Sequence, residues 1–463
     1  NGTYGGVRGG RDFPLLDLSI ANRTNKINIE VKIMGKKEIG IGIIGLGNVG
    51  TGTLEILTKN KDFIEQEISP NRIKIIGLAD LDASRKPKTG NEYWFTHDAE
   101  DIIKNSGLDI LVETIGGEYP AYNFIKLALL KGKHVVTPNK EVVAKHGYEL
   151  LEIAQQNRVQ FLFETSVGSA IPILGVITNI LTSCPLDEIS GILNGTTNYI
   201  LDLMAEQSMA QEDALKKAQQ MGYAEADPSK DVNGLDALFK IFILATLGFR
   251  GRLDLNKINY EGISGVTLDD TNLAKLLNYR IKLIATARRI INKLEIGLGP
   301  VLIEEGHLLS HIRGADNGIF VSGQGYGNLF LSGPGAGGIA AASMMVSDIV
   351  RIIRQPGCFD YDFLTNQKEE LEISLPGETK SPYFLRIKGE DDSERNINDI
   401  KKIIAEKGFL TDRSAVFKDK NNSLSMGFII SSGREREMIE IIQELKKLDY
   451  VANPAYLKVY EHL

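Results

Sequence analysis

Apolar residues in the first third of the chain fall into short unbroken runs, separated by stretches with helical spacing. Ile39–Ile44 reads as a buried strand, and a helix follows from about Asn48. Arg72–Ala79 is a second strand, ending at Asp80. Leu108–Glu113, Lys133–Thr137 and Val159–Phe163 are a third, fourth and fifth, with Tyr119–Lys131 and Glu141–Asn157 as helices between them. Strands and helices alternating over short connections predict a doubly wound α/β unit with a parallel, Rossmann-like sheet over 34–163. Residues 164–345 are mixed, with further strands and at least three helices, and the chain is expected to return to the first unit at about 333–360. From 378 to 463 an independent pattern begins. Tyr383–Lys388, Ser414–Lys418, Leu424–Ser431 and Ala455–Tyr460 read as strands, and Asn396–Lys407 and Arg434–Leu448 as helices, with a turn at Lys420-Asn421-Asn422. That order is βαββαβ, ferredoxin-like.

Residues 1–33 carry no apolar period and no signal-peptide core, and Met34 reads as a natural start. They are expected to be a disordered extension or an upstream segment. At roughly 150 residues per domain, 463 residues suggest about three domains. The net charge of −7 divides unevenly: 34–377 carries 33 basic against 42 acidic residues, while 378–463 carries 15 of each. No segment offers the basic footprint that nucleic acid needs. The longest nearly uncharged apolar run, Ile241–Phe249, falls far short of the roughly 20 residues that span a bilayer. Two distant cysteines, Cys184 and Cys358, suit neither a disulfide framework nor a zinc site, and they point to a reducing, cytoplasmic compartment.

Glycine is in excess, 47 residues, so its placement becomes informative. Gly45-Leu-Gly47-Asn48-Val49-Gly50 follows a strand and opens a helix, the setting in which G-x-G-x-x-G binds a dinucleotide. Gly45 would permit the tight turn, Gly47 the approach of a pyrophosphate, and Gly50 the packing of helix on strand. Asp80 is placed to bond an adenosine ribose, which favours NAD; Arg85, Lys86 and Lys88 follow closely and could neutralise the extra phosphate of NADP.

The helix expected from Leu235 to Phe249 is apolar or small except at Asp236, Lys240 and Thr246. Asp236 and Lys240 stand four apart, on one face built for burial. A desolvated ammonium group is costly unless paired, and its pKa is easily moved, which suits proton exchange with a substrate hydroxyl. A plain i,i+4 ion pair would explain these two residues but not Glu225, Asp227 and Asp231 just before them. Some of those acids could cap the helix start; as a cluster they could hold a cationic amino group.

Ala218-x-x-x-Gly-Tyr-Ala-Glu-Ala-Asp-Pro-x-x-Asp-Val-x-Gly-x-Asp-x-x-x-Lys240 resembles the signature of the homoserine dehydrogenase family. Other pieces follow in that family's order: Gly45–Gly50, His134-Val-Val-Thr-Pro-Asn-Lys140, Glu164-Thr-Ser-Val-Gly, Leu193-Asn-Gly-Thr-Thr-Asn198 and Gly333-Pro-Gly-Ala-Gly337. The resemblance covers about 34–463, with a C-terminal region similar to an ACT domain, and lacks an aspartate kinase module.

It implies reversible NAD- or NADP-dependent interconversion of L-homoserine and L-aspartate 4-semialdehyde, towards threonine, methionine and isoleucine. By position, Lys240 would be the acid–base lysine with Lys140 its competitor, Asp236 would orient it, and Glu225 and Asp231 would contact substrate, bordered by Thr196 and Tyr223. Thr114, Ile115 and Gly335 would line the cofactor cleft. A monovalent cation, Na+, would map onto the Glu164 side chain and the carbonyls of Val167, Ser169 and Ile171. ACT domains usually pair across subunits and bind amino acids there, which implies a homodimer or homotetramer and a threonine effector. Two alternatives are a nicotinamide-binding sensor without catalysis and another amino-acid semialdehyde dehydrogenase. The second would need a cysteine nucleophile, for which neither Cys184 nor Cys358 has a persuasive setting.

Overall fold

The first apolar run becomes the middle of a parallel sheet. Strand β1 (Glu38–Ile44) is buried along all but its first residue. It lies between β2 (Arg72–Ala79) and β4 (Ile110–Glu113). Beyond them come β3 (Phe95–Thr96), β5 (His134–Val136) and β6 (Phe161–Leu162), giving the order β3-β2-β1-β4-β5-β6. All neighbours are parallel, and helices cover both faces, which is why these strands read as continuous apolar runs. The sheet has six strands where five are expected from sequence. The extra one, β3, is two residues long, too short to leave a pattern. In this computed structural model, residues 37–87, 93–357, 361–366, 370–374, 377–389, 394–419 and 423–461 are described. The lead 1–33, Met34, Lys88, Cys358 and the Lys420–Asn422 turn lie outside them. Among the described residues, no helix is long and apolar enough to cross a membrane.

Strand order reverses between β1 and β4, so the loops leaving their carboxyl ends diverge and leave a crevice, the place where such sheets bind ligands. The chain returns to this unit late. The Gly338–Arg354 helix packs on the Asn48–Lys59 helix so closely that a Cβ on Gly338 would stand 2.8 Å from the Asn48 carbonyl oxygen.

The second sheet is built from β7 (Leu186–Ile192), β9 (Tyr279–Ile290), β10 (Lys293–Glu304), β11 (Asp316–Gly323) and β12 (Gly327–Pro334), with the two-residue β8 (Asn259–Tyr260) on β10. The C-terminal segment follows its predicted order: β13 (Lys380–Gly389), helix Glu394–Glu406, β14 (Thr411–Lys418), β15 (Leu424–Arg434), helix Glu435–Leu445 and β16 (Val451–Val459). Its strands run β16-β13-β15-β14, the ferredoxin-like arrangement. It is not a free-standing sheet. Strand β16 pairs in parallel with β10, Val301 with Lys458 and Leu302 with Val459, so the two sheets merge into one of ten strands.

Alternation along β13 shows how the module is seated. Tyr383, Leu385 and Ile387 enter a core of their own with the two module helices. Phe384 and Arg386 point the other way, towards the Leu268–Leu276 helix. Arg386 Nε meets Asp270 Oδ1 at 2.6 Å, with both side chains less than a tenth exposed. Asp270 also completes the capping box of that helix with Thr267. Breaking a buried pair by removing one partner leaves the other charge uncompensated. Arg386→Ala is therefore expected to cost about 3–5 kcal/mol of stability. Denaturant unfolding checks this, and a midpoint unchanged from wild type would count against a structural role for the pair.

Candidate active site

The glycine loop leaves β1 through Gly45 at φ +86°, where a Cβ would stand 2.7 Å from the Thr114 carbonyl. Gly50 is equally confined: a Cβ would come within 2.0 Å of the Gly45 oxygen. Gly47 differs, because a Cβ there would meet nothing nearer than Arg85 Nη1 at 3.9 Å. Packing thus requires the outer two glycines, while the middle one faces space at the start of the Asn48–Lys59 helix, whose free N–H groups suit a phosphate. Asn48 is exposed there and Val49 half-buried. Asp80 Oδ2 accepts from Leu46 N at 2.6 Å and Oδ1 from Asp82 N at 2.8 Å. The half-exposed Arg85 guanidinium lies 3.4 Å from the same carboxylate.

Across the crevice, Thr114 Oγ1 donates to the Gly45 carbonyl at 2.6 Å, and Ile115 is exposed beside it. Behind them stands Glu113, which sequence reasoning passed over. It is fully buried at the end of β4, and burial pushes its carboxyl up. Its two oxygens accept from Ile115 N at 2.7 Å and from Thr137 Oγ1 at 2.6 Å. Asn139 Nδ2 donates to the Gly117 carbonyl at 2.7 Å, so the loops after β4 and β5 are tied together. The signal was available: an acid closing a four-residue run that is otherwise wholly apolar.

Asn139 caps the Lys140–Gln156 helix, which puts Lys140 at its first position, facing the crevice with 39% of its side chain exposed. The Leu235–Gly248 helix arrives from the second unit, buried along nearly its whole length. Its N-cap, Gly234, has φ +87°. Asp236 lies between the two helices. Its Oδ1 receives Lys140 Nζ and its Oδ2 receives Lys240 Nζ, both at 2.9 Å. Lys240 also donates to the Leu193 carbonyl at 2.7 Å. Burial alone would raise the Asp236 carboxyl, but the Lys140 and Lys240 charges and Asn194 outweigh it and hold it far below the carboxylate range. Asp236 in turn keeps the Lys140 ammonium above its ordinary value, against burial.

Asn194 was named in the sequence only within the Leu193–Asn198 element, with no role of its own. It caps the Gly195–Gln207 helix through Oδ1, and its Nδ2 reaches Asp231 at 2.7 Å and Asp236 at 2.9 Å. Asp231 is half-buried, and burial first, then Asp236, pushes its carboxyl up. Glu225 is exposed but near enough to bias Lys140. Asp227 instead caps the Ser229–Val232 turn, accepting from Ser229 N at 3.1 Å. Thr196 Oγ1 donates to the Tyr223 carbonyl at 2.6 Å, and the exposed Tyr223 ring leans on Tyr199.

Two expected sites look different in three dimensions. A Cβ on Gly335 would stand 2.2 Å from Asn317 Oδ1, so packing by itself accounts for that glycine. The Glu164 carboxylate accepts from Leu174 N at 2.7 Å and Gly175 N at 2.6 Å, and the Ile171 carbonyl accepts from Ile173 N at 2.8 Å. Ser169 sits at φ +54°. Val167 is buried beside it in the same short turn.

The lysine–aspartate–lysine cluster thus faces the mouth of a dinucleotide crevice. Residues 45–164 match the family model described as homoserine dehydrogenase, NAD binding domain, and 172–350 match the homoserine dehydrogenase model. The homoserine dehydrogenase of Bacillus subtilis is 34% identical over 420 residues, 90% of this chain and 96% of that one. The chain belongs to the homoserine dehydrogenase family. The Synechocystis homoserine dehydrogenase is 40% identical, over 68% of this chain and 73% of its own. Among solved structures, a homoserine dehydrogenase from Thiobacillus denitrificans superposes with a TM-score of 0.85 at 32% identity, covering 92% of this chain and 99% of that one. A hyperthermophilic archaeal homoserine dehydrogenase in complex with NADPH gives a TM-score of 0.58 at 26% identity, covering 68% of this chain and 97% of that one. Homoserine dehydrogenases are NAD(P)-dependent oxidoreductases acting on a CH–OH group, and this chain is an enzyme of that class. Neither the non-catalytic sensor nor the cysteine-dependent dehydrogenase is favoured. Cys184 is a free, half-buried thiol, and none of the hydrogen bonds that assemble the cluster involves it.

Proposed function

We propose that the crevice interconverts L-homoserine and L-aspartate 4-semialdehyde, with NADP preferred over NAD. The observation that carries the reading is Asp236 bridging Lys140 and Lys240 at the carboxyl edge of the parallel sheet. Nicotinamide, when bound, supplies or accepts the hydride. The chain itself must place a proton on the aldehyde oxygen as negative charge develops there. Lys140 is a poor proton donor, because Asp236 holds its ammonium above the ordinary range. It therefore orients the oxygen, and Lys240 Nζ gives up the proton. Asp231 and Glu225 take the substrate ammonium, and Thr196 and Tyr223 border it. Absorbance at the reduced-nicotinamide band, with homoserine and each oxidised cofactor, tests the reaction and the preference together. No reduction with either cofactor would overturn the reading.

Support for NADP comes from the loop after β2. Both Asp80 oxygens already accept backbone N–H bonds, while Arg85 presents a half-exposed guanidinium beside them, a good partner for a ribose phosphate. The NADPH held by the archaeal relative agrees with this. Arg85→Ala is expected to raise KM for NADP about tenfold or more while leaving KM for NAD nearly unchanged. Equal effects on both cofactors would remove the assignment.

Hard oxygen donors around Glu164 have the right chemistry for a monovalent cation. Here that carboxylate holds two backbone amides, so we assign it the shaping of the 173–175 turn and route no step through an ion. A homo-oligomer and a threonine effector at the C-terminal module belong to the same reading, supported by the ferredoxin-like strand order. A rate unchanged in millimolar threonine would count against the effector.

A further inference from the structure

The glycines of 333–337 stand out in the sequence, and at Gly335 the reason is a neighbour. A Cβ there would come 2.2 Å from Asn317 Oδ1 and 2.7 Å from its Nδ2. Gly335 is not among the glycines at positive φ, so space alone excludes a side chain. Asn317 is fully buried near the start of β11, where the ladder with β7 ends on the pair Gly318–Ile192. The two chains touch here without room for a Cβ: one on Gly191 would stand 2.4 Å from the Gly318 oxygen, and one on Gly195 2.3 Å from the Ala315 oxygen. Leu193 lies between those two glycines. Its carbonyl accepts from Asn317 Nδ2 at 3.1 Å and from Lys240 Nζ at 2.7 Å. The other end of the amide gains nothing: Asn317 Oδ1 is buried and has no hydrogen-bond partner among the described residues. A buried acceptor left unsatisfied is destabilising, and an apolar side chain of the same shape would avoid that penalty. Stability does not explain this residue.

We propose that Asn317 is a positioning residue for proton transfer, fixing the Leu193 carbonyl that holds Lys240. A carbonyl oxygen has two lone pairs. With one taken by Asn317, the peptide joining Leu193 to Asn194 cannot turn to follow the lysine. Lys240 then keeps one N–H on Leu193, one on Asp236 and the third for the substrate oxygen. The same peptide leads into Asn194, whose side chain faces Asp231 and Asp236, so its orientation serves both halves of the cluster. Gly335 leaves room for the amide, which gives the glycine segment a part in the chemistry through Asn317. This role rests on Lys240 being the proton donor in the reading given above.

Two variants of the full chain remove the donor while sparing the shape. Asn317→Asp is isosteric and, when ionised, has no proton to give. Asn317→Ala with Gly335→Ala also lacks it, and the added methyl group refills part of the vacated space; it serves if the aspartate variant fails to fold. Each is expected to lower kcat about tenfold, the loss of one hydrogen bond, with KM for NADP unchanged and a larger solvent isotope effect on kcat. A packing role would instead move the melting temperature and leave the isotope effect as it is. In a Lys240→Ala background the same substitutions should cause little further loss, because the group they act through is gone. An undiminished kcat, or an equal loss with and without Lys240, would overturn the role of Asn317 while leaving Lys240 as the donor. Near-normal turnover in Lys240→Ala alone would bring down the donor reading, and the role of Asn317 with it.

Discussion

Lys240→Ala is expected to lower kcat about 10³-fold while leaving nicotinamide cofactor binding measurable by fluorescence titration. The reason is positional. Lys240 sits on a buried helix with its ammonium held by the Leu193 carbonyl and Asp236, so its remaining N–H is fixed in direction. A fixed donor costs little reorganisation when the oxygen becomes basic, and water cannot reproduce that placement. The parallel Lys140→Ala variant separates the two lysines. Lys140 is the more exposed of the two, so its loss should raise KM for the semialdehyde as well as lower kcat. A solvent isotope effect that grows only in Lys240→Ala would mark the proton step there. Near-normal kcat in Lys240→Ala, or the isotope signature appearing in Lys140→Ala instead, would reverse the assignment.

Asp236→Asn should be nearly as damaging, and in a way that depends on pH. The carboxylate favours the charged form of Lys140, raising its pKa; amide in its place removes that support. A raised ammonium pKa keeps the cation present to higher pH, so its loss moves the alkaline limb of kcat/KM to lower pH. We expect a shift of about one unit or more, with a rate at neutral pH down about 10²-fold. Stability follows with the opposite sign. The depressed Asp236 carboxyl contributes stability above the ordinary carboxylate range, and this is lost as pH falls through the folded-state value. The wild type should thus lose melting temperature on acidification more steeply than Asp236→Asn. Unchanged alkaline limbs with parallel melting curves would show that Asp236 neither tunes nor holds the lysines.

The parallel sheet and Lys240 were legible for related reasons, whereas Lys140 emerged only through the family resemblance. Strands buried on both faces leave continuous apolar runs, and a cation on an apolar helix stands out against its neighbours. Asp227 is a useful contrast. It belongs to the same acidic stretch as Asp231, yet it caps a turn while Asp231 joins the cluster, and only the fold separates them. Asn194 was hidden because its two roles coincide. An asparagine before a helix is adequately explained as a cap, and nothing local shows that its other end touches two carboxylates distant in sequence. The merging of the sheets was hidden as well, since the β10–β16 pairing rests on two residues at the far end of a strand whose pattern already served the module.

That pairing also orders events during synthesis. Strand β16 stands between β10 and β13, so the module's first strand has no neighbour on one side until the last strand to be made slides in. Until then β10 and β13 each present an open edge, the kind of surface on which chains join one another wrongly. The parallel sheet faces no such wait, because its six strands are complete by Leu162, and only the covering Gly338–Arg354 helix follows later. A nascent chain therefore carries all the strands of its parallel sheet for most of its time on the ribosome, beside a second sheet that the last strand to be made must close.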